Sequence, residues 1–381
     1  MRLYVIYSDD HQNNKKKALF IAASVKKYFE VSTFSVSSKS KKQYFVESLK
    51  LLYRIIKNNV HYFILVEPWY PFLFVVLTHF VKTRFIYWSG NINFDVLKHL
   101  KTNPIVIGIL KLCELGIIHS ADIICSDSES MIRFFSIHNT KMQIYYLPEY
   151  IGNLQTFPQL EEKSTRLCGP RKDRPFVIGY LSTIHLEVVG SRLLPRGWEL
   201  VHVCEELLNA NVDNFKFIVV GDGDGLSYLK EEVSSCNFTK YFEFTGFITD
   251  ELKTNFLSCF DVGYSEDYKS FLTHRFNLSS KIEEYLRAQV PVITGTQGDK
   301  RIIIGNSDNP CGICIDPLDD DLRDIRRYIH DISKAVILLK MNPDVVSKMR
   351  HYCSIEFSKR FSKEAIDTTV ERVTAQLSSF A

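Results

Sequence analysis

The residues best placed to do chemistry lie in one short stretch, residues 279–295, which reads SSKIEEYLRAQVPVITG. Ser279 and Ser280 are good N-cap types, and the helix they open carries Lys281, Glu283, Glu284 and Tyr285. A helix start offers unpaired backbone N–H groups and a partial positive charge, which suits a diphosphate, and Lys281 in the first turn adds a full charge beside it. Glu284, one turn on and on the same face, can accept hydrogen bonds from sugar hydroxyls. The same residues also describe a capped amphipathic helix with a Lys281–Glu284 ion pair on its surface, and both readings stay open on the residues alone.

A second candidate is the run Gly221, Asp222, Gly223, Asp224, Gly225, placed between a strand pattern and a helix pattern. It fits neither a dinucleotide-binding loop, which needs a small residue where Leu226 stands, nor a calcium loop, which needs an oxygen ligand there and its glycine one position later. A tight glycine turn remains. Cys311 and Cys314 have CxxC spacing but no second pair and no histidine couple, so no metal is expected.

These residues need elements to position them. In the front part, β-type runs at residues 3–7, 31–35, 62–66, 84–87, 122–125 and 143–147 alternate with stretches long enough for helices. Such alternation predicts a parallel sheet covered on both faces, with ligands beyond the carboxyl ends of its strands. The residues just past those strands are therefore candidates: Asp9, Asp10 and His11, Glu67 and Trp69, Trp88 to Asn91, Ser126 to Ser128, and Glu149. His11 is the favoured polar group at a reacting centre, and Trp69, Tyr70 and Trp88 are available to stack on a sugar or meet lipid, with core packing the alternative for at least one of them. Residues 151–175 lose periodicity and collect Gly, Pro and charge, as a linker does. The alternation then resumes with strands near residues 177–180, 215–220, 241–244, 261–264, 291–294 and 312–315, and helices near 197–210, 226–233, 250–259 and 280–288. Polar helices follow to the end. The expected organisation is an N-terminal domain over residues 1–150, the linker, a C-terminal domain over 176–361, and a last helix over 362–381.

Composition narrows the classes. The chain has 381 residues, 45% hydrophobic and 24% charged, which excludes a disordered or collagenous chain, and its formal net charge of +3 does not suit a dedicated nucleic-acid binder. The average hides a split. Residues 1–150 carry 19 Lys and Arg against 11 Asp and Glu, a net +8, leaving 28 against 33, a net −5, for residues 151–381. Early lysines such as Lys15, Lys16 and Lys17 suit either a solvated helix face or contact with an anionic lipid surface. Residues 3–7 read as a strand rather than a secretory leader, and the most apolar window, residues 62–81, is broken by Glu67, Pro68 and Pro71. The expected location is the cytoplasm, with peripheral contact at the inner face of the plasma membrane.

The 279–295 segment resembles the signature of nucleotide-sugar-dependent glycosyltransferases of the GT-B fold, in particular the retaining family 4 kind, in which a Lys-x-x-Glu-Tyr helix precedes a Pro-Val-Ile strand. FKFIVVGDG at 215–223, FEFTGFI at 242–248, CGICIDP at 311–317, Arg196–Gly197 and, more faintly, ADIICSDS at 121–128 are similar to other parts of that family. The resemblance implies two facing Rossmann-like domains with an interdomain cleft. It implies a retaining transfer of a sugar from a nucleoside-diphosphate sugar to a glycan or lipid-linked saccharide, for a surface polysaccharide, without a metal or other cofactor. In it, Lys281 and Arg196 neutralise the donor diphosphate with the N–H groups near Ser279 and Ser280. Gly221, Gly246, Phe247 and Ile248 line the nucleotide, Glu284 holds ribose or sugar, and His11 and Glu284 act at the reacting centre. Asp10, Trp69 and Asn91 fall on the acceptor side.

Three departures stand out. Many relatives carry a glutamate eight positions before the one matched by Glu284, where this chain has Phe276. Tyr180 stands where an arginine often follows the first strand's glycine. Residues 182–195 lengthen the loop before Arg196. Two alternatives follow: a GT-B nucleotide-sugar epimerase, or a catalytically silent GT-B subunit that binds a partner or membrane.

Overall fold

The structure, a computed structural model, describes residues 2–8, 12–36, 41–66, 83–89, 103–138, 142–148, 174–189, 191–268, 278–319 and 322–379. The chain divides into two compact units, residues 1–150 with 360–381, and residues 151–359.

The first unit is a six-stranded parallel sheet in the order β2-β1-β3-β4-β5-β6. Its strands are β1 (Arg2–Ser8), β2 (Glu30–Val36), β3 (Tyr62–Val66), β4 (Arg84–Trp88), β5 (Ile123–Ser126) and β6 (Gln143–Tyr146). The helices described are α1 (Gln12–Val25), α2 (Lys41–Lys57), α3 (Pro104–Ser120) and α4 (Glu129–His138). All five residues of β3 are buried, as expected of a central parallel strand covered on both faces.

The second unit is also a six-stranded parallel sheet, ordered β11-β10-β7-β12-β13-β14. Its strands are β7 (Phe176–Leu181), β10 (Phe215–Val220), β11 (Phe242–Gly246), β12 (Val262–Tyr264), β13 (Val292–Gly295) and β14 (Gly312–Ile315). A separate antiparallel pair, β8 (Leu186–Val189) and β9 (Arg192–Pro195), stands between β7 and the next helix. The helices are α5 (Glu199–Asn209), α6 (Leu226–Ser235), α7 (Asp250–Leu257), α8 (Ser280–Arg287), α9 (Asp299–Ile303), α10 (Ile325–Met341) and α11 (Pro343–Arg360). Leu200, Val203, Cys204 and Leu207 of α5 share one core with Tyr328, Ile332 and Val336 of α10 and with the strand residues Ile178, Phe217 and Val262.

One device stops four of these helices. After α2, α5, α6 and α8 come Asn59, Asn211, Asn237 and Gln289, each with positive φ. The apolar residue that follows then donates its N–H five residues back: Val60 to Ile55, Val212 to Leu207, Phe238 to Val233 and Val290 to Tyr285, at 2.8–3.1 Å. The left-handed residue satisfies the helix's last carbonyls and the apolar one anchors the chain, so it leaves for the next strand at a set angle.

The last helix, α12 (Lys363–Ser379), belongs to the first unit. Ile366, Val370, Val373 and Leu377 are buried, the Tyr62 hydroxyl donates to the Leu377 carbonyl (3.0 Å), and Lys27 pairs with Glu371 (3.3 Å).

A candidate site at the strand ends of the second unit

Strand order in the second unit reverses between β7 and β12, so the loops leaving these two strands diverge and open a crevice. The chain leaving β7, residues 182–185, lies against the glycine turn after β10. A Cβ on Gly221 (φ +136) would stand 1.8 Å from the Ser182 carbonyl oxygen, and one on Gly223 (φ +151) 2.4 Å from that of Ile184. The Ile184 N–H donates to the Asp222 carbonyl (3.0 Å) and the Gly225 N–H to that of Ile184 (2.8 Å). The Gly-Asp-Gly-Asp-Gly run is therefore where two segments of the chain touch backbone to backbone. Gly221 also donates to the Gly246 carbonyl (2.9 Å), which brings Gly221 next to Gly246, Phe247 and Ile248; Phe247 is 77% exposed.

Residues 182–195, which lengthen the loop before Arg196, contain the β8–β9 hairpin. Its register pairs Val189 with Arg192 across a two-residue connection whose sequence is Gly-Ser, a hairpin signal that went unread. The hairpin places Arg196: its N–H donates to the His185 carbonyl (2.9 Å), and its Nε donates to Glu187 Oε1 at 2.5 Å, with Nη2 on the same oxygen. Burial works against the Arg196 charge, but the Glu187 hydrogen bond and the Glu266 and Glu187 charges outweigh it, and its pKa is raised.

Lys281 sits in the first turn of α8. Ser279 is its N-cap residue but makes no side-chain cap; its carbonyl accepts from the Ile282 N–H (2.8 Å), and Ser280 is exposed. The Lys281 ammonium lies 2.7 Å from both carboxylate oxygens of Glu266, 3.4 Å from Ser182 Oγ and 5.1 Å from the centre of the Tyr180 ring. Tyr180 thus forms a floor under the lysine. The ion pair weighed within α8 is not made: Glu284 bonds Lys253 of α7 (3.3 Å), and its other oxygen is buried with no hydrogen-bond partner among the described residues. Tyr285 ties the crevice together. Its hydroxyl accepts from the Leu181 N–H (2.8 Å) and stands 3.2 Å from the Gly179 carbonyl and 3.3 Å from that of Tyr264.

Behind Lys281 lies a buried polar network. Glu199, in the first turn of α5, accepts from the hydroxyls of Tyr264 (2.7 Å) and Tyr268 (3.0 Å). The Tyr328 hydroxyl stands 3.1 Å from that of Tyr264 and accepts from the Asp267 N–H (3.2 Å). The Asp267 carboxylate meets Lys300 at 2.6 Å, with both side chains fully buried. Burial, aided by the Glu266 charge, pushes the Glu199 carboxyl up to about 7 against the two tyrosine hydrogen bonds.

The crevice thus brings together Arg196, Ser182, Tyr180 and Lys281 with two carboxylates that sequence reasoning missed, Glu187 and Glu266. Ser265, Glu266 and Asp267 directly follow β12, so the strand-end rule applied to the front part would have singled them out here. The Cys311 and Cys314 thiols face the carbonyls of Asn309 (3.9 Å) and Lys300 (3.7 Å).

In the first unit, Asp10, His11, Trp69 and Asn91 lie outside the described residues, as do Asp9, Glu67, Tyr70, Gly90 and Glu149. Trp88 is a core residue rather than a sugar or lipid contact: it is buried and its Nε1 donates to the Leu147 carbonyl (3.2 Å). Ser126 and Ser128 are buried, accepting from the N–H groups of Ser128 and Met131.

No protein-family model matches this chain, and no curated protein matches it in sequence. Solved structures do match in shape. The HepE protein of Anabaena, in complex with UDP, is similar over the whole of both chains, with a TM-score of 0.68 at 12% identity. Sucrose-phosphate synthase from Thermosynechococcus elongatus is similar over the same full coverage, at 0.67 and 15%. WaaB, a lipopolysaccharide outer core galactosyltransferase, reaches 0.64 at 11%, again over both whole chains. The likeness establishes the fold: an α/β chain with two parallel-sheet units, of the GT-B class.

Proposed function

We propose that this chain is a glycosyltransferase that moves a sugar from a nucleoside-diphosphate sugar to a glycan or lipid-linked saccharide, with retention, in surface polysaccharide synthesis. The observation that carries the reading is Lys281, held in the first turn of α8 at the point where β7 and β12 diverge. Arg196 stands in the same crevice, close enough to Glu266 to feel its charge. As the glycosidic bond breaks, the departing diphosphate gains negative charge, and cations fixed beside it stabilise the transition state more than the ground state. On this reading Lys281 and Arg196 supply that charge without a metal. Glu284 orients the sugar or ribose with its unpartnered oxygen, and Gly246 to Ile248 face the base.

Calorimetric titration with UDP, GDP and ADP, followed by turnover of the matching nucleotide sugars, tests this. Lys281→Ala should lower affinity for the diphosphate at least tenfold, and Lys281→Ala and Glu284→Ala should each lower turnover. Parental turnover in both variants would sink the site assignment, and conversion of donor with no acceptor would mean an epimerase. A second reading, a silent GT-B subunit, is favoured by the carboxylate already seated on each cation; binding of no diphosphate at millimolar concentration would select it.

The acceptor side is proposed to meet an anionic membrane at the cytoplasmic face. No helix among the described residues is long and apolar enough to cross a membrane. In α2, exposed Val46, Leu49, Tyr53 and Ile56 alternate with exposed Lys50, Arg54 and Lys57, a pattern suited to an interfacial surface. Co-sedimentation with anionic liposomes at low salt, lost when Lys50, Arg54 and Lys57 are neutralised, is the expected result.

A further inference from the structure

We propose that Glu266 and Glu187 are built-in counter-ions that compete with a nucleoside diphosphate for Lys281 and Arg196, and so set how readily the spent nucleotide leaves. The inference rests on the reading of those two cations as the diphosphate site. Each cation meets one carboxylate directly: Lys281 meets Glu266, and Arg196 meets Glu187. Glu266 is fully buried and grips the Lys281 ammonium with both oxygens at 2.7 Å, which takes two of its three N–H donors. Among the described residues the third meets Ser182 Oγ at 3.4 Å, a long and weak hydrogen bond. That third donor is the one an anion can engage. Glu187 meets the guanidinium of Arg196 through one oxygen, and its second oxygen is buried without a hydrogen-bond partner among the described residues. Glu187 is delivered by the β8–β9 hairpin.

Two cations and two carboxylates sum to zero, so the crevice presents localised donors without a net positive field. That distinction separates donor from product. A nucleotide sugar carries two negative charges on its diphosphate, and the nucleoside diphosphate left after transfer carries about one more at neutral pH. A site with an uncompensated charge of two would hold the product harder than the donor and be slow to release it. Carboxylates behind the cations repel the more highly charged species more, while the cations keep their short-range hydrogen bonds for the transition state. A carboxylate seated behind an ammonium lies roughly 5–6 Å from an anion in front of it, where one unit charge changes affinity by about tenfold at dielectric values between protein and water.

The experiment uses the full-length chain and calorimetry with whichever of UDP, GDP and ADP the parental protein binds most tightly, alongside the matching monophosphate. Glu187→Gln and Glu266→Gln should each bind the diphosphate about tenfold more tightly and the monophosphate less markedly so, with steady-state kcat lowered and the single-turnover rate kept. Because Glu266 is buried against a lysine, Glu266→Gln has a folding risk; Glu187→Gln, on the hairpin, carries the test alone, with thermal unfolding confirming the fold. Unchanged or weaker diphosphate binding in folded Glu187→Gln overturns the counter-ion role. Parental affinity in Lys281→Ala overturns the diphosphate-site reading instead, and failure of parental and Gln variants to bind any of the three overturns both.

Discussion

Two ion pairs, one in each unit, have nearly the same geometry and opposite surroundings. Lys300 and Asp267 in the second unit meet at 2.6 Å with neither side chain exposed; Arg84 and Asp122 in the first meet at 2.7 Å with 51% and 17% exposed. The contrast extends to the units as wholes. Glu199, Glu266, Asp267, Glu284 and Lys300 are all buried around the β7–β12 crevice, whereas α2 of the first unit sets its cations among exposed apolar side chains. Charge taken inside needs a charged or hydrogen-bonding partner to offset its lost hydration; charge left outside remains available to whatever the surface meets.

The largest expected effect breaks the inner pair. Lys300→Met leaves the Asp267 carboxylate buried without its ammonium and should cost about 3–5 kcal/mol in urea unfolding. Arg84→Gln should cost about 1 kcal/mol or less, because water screens that pair and Asp122 still accepts from the Phe85 N–H at 2.8 Å. Equal losses would mean that burial does not separate the two units.

A second test uses pH. The Glu199 carboxyl, raised by burial to about 7 from an ordinary 4.5, keeps its proton in the folded chain where the unfolded chain releases it. This favours the folded state fully below about pH 4.5, and the benefit is lost as pH rises through 7. The loss between those limits is about 3 kcal/mol, from a shift of two to three units at about 1.4 kcal/mol each. Glu199→Gln is neutral throughout, so its stability should fall less between pH 5 and pH 8 than that of the parental chain. Parallel stability curves would place Glu199 in a more hydrated setting.

The same contrast explains what could be read from the chain beforehand. The strands were legible because parallel strands covered on both faces are continuous apolar runs, and three of them, Tyr62–Val66, Phe215–Val220 and Gly312–Ile315, begin and end where periodicity placed them. The hairpin was not, because its strands are four residues each and Val188 and Leu193 face solvent, so they lack that signature. Lys281 was legible through the helix it opens. Its partner Glu266 was not: the two are 15 positions apart on different elements, and only the order of β7, β12 and α8 in space brings them together. Glu284, placed on Lys281 by helical spacing, turns instead to Lys253 because α7 packs beside it. Helical spacing identifies which residues can meet, and neighbouring elements decide which do.

The smallest expected change in stability comes from the exterior of the first unit. Along α3, Ile105, Val106, Ile109 and Leu112 are exposed, with Leu112 at 73%, while Cys113, Ile117 and Ile118 of the same helix are buried in the unit's core. Asn103 accepts from the Ile105 N–H (2.9 Å) and Pro104 opens the helix, so its start is secured by local bonds independent of the outer face. Ile109→Asp with Leu112→Asp should therefore leave urea stability within about 0.5–1 kcal/mol of the parental chain. A water-facing stripe gains from the exchange, whereas a face that enters a lipid interface loses two apolar anchors and acquires two charges repelled by anionic headgroups. Liposome binding should fall by tenfold or more while nucleoside-diphosphate affinity, which the proposed function sets in the other unit, stays put. If liposome binding survives the double change but not the neutralisation of Lys50, Arg54 and Lys57, α2 alone makes the contact and the comparison narrows to one helix.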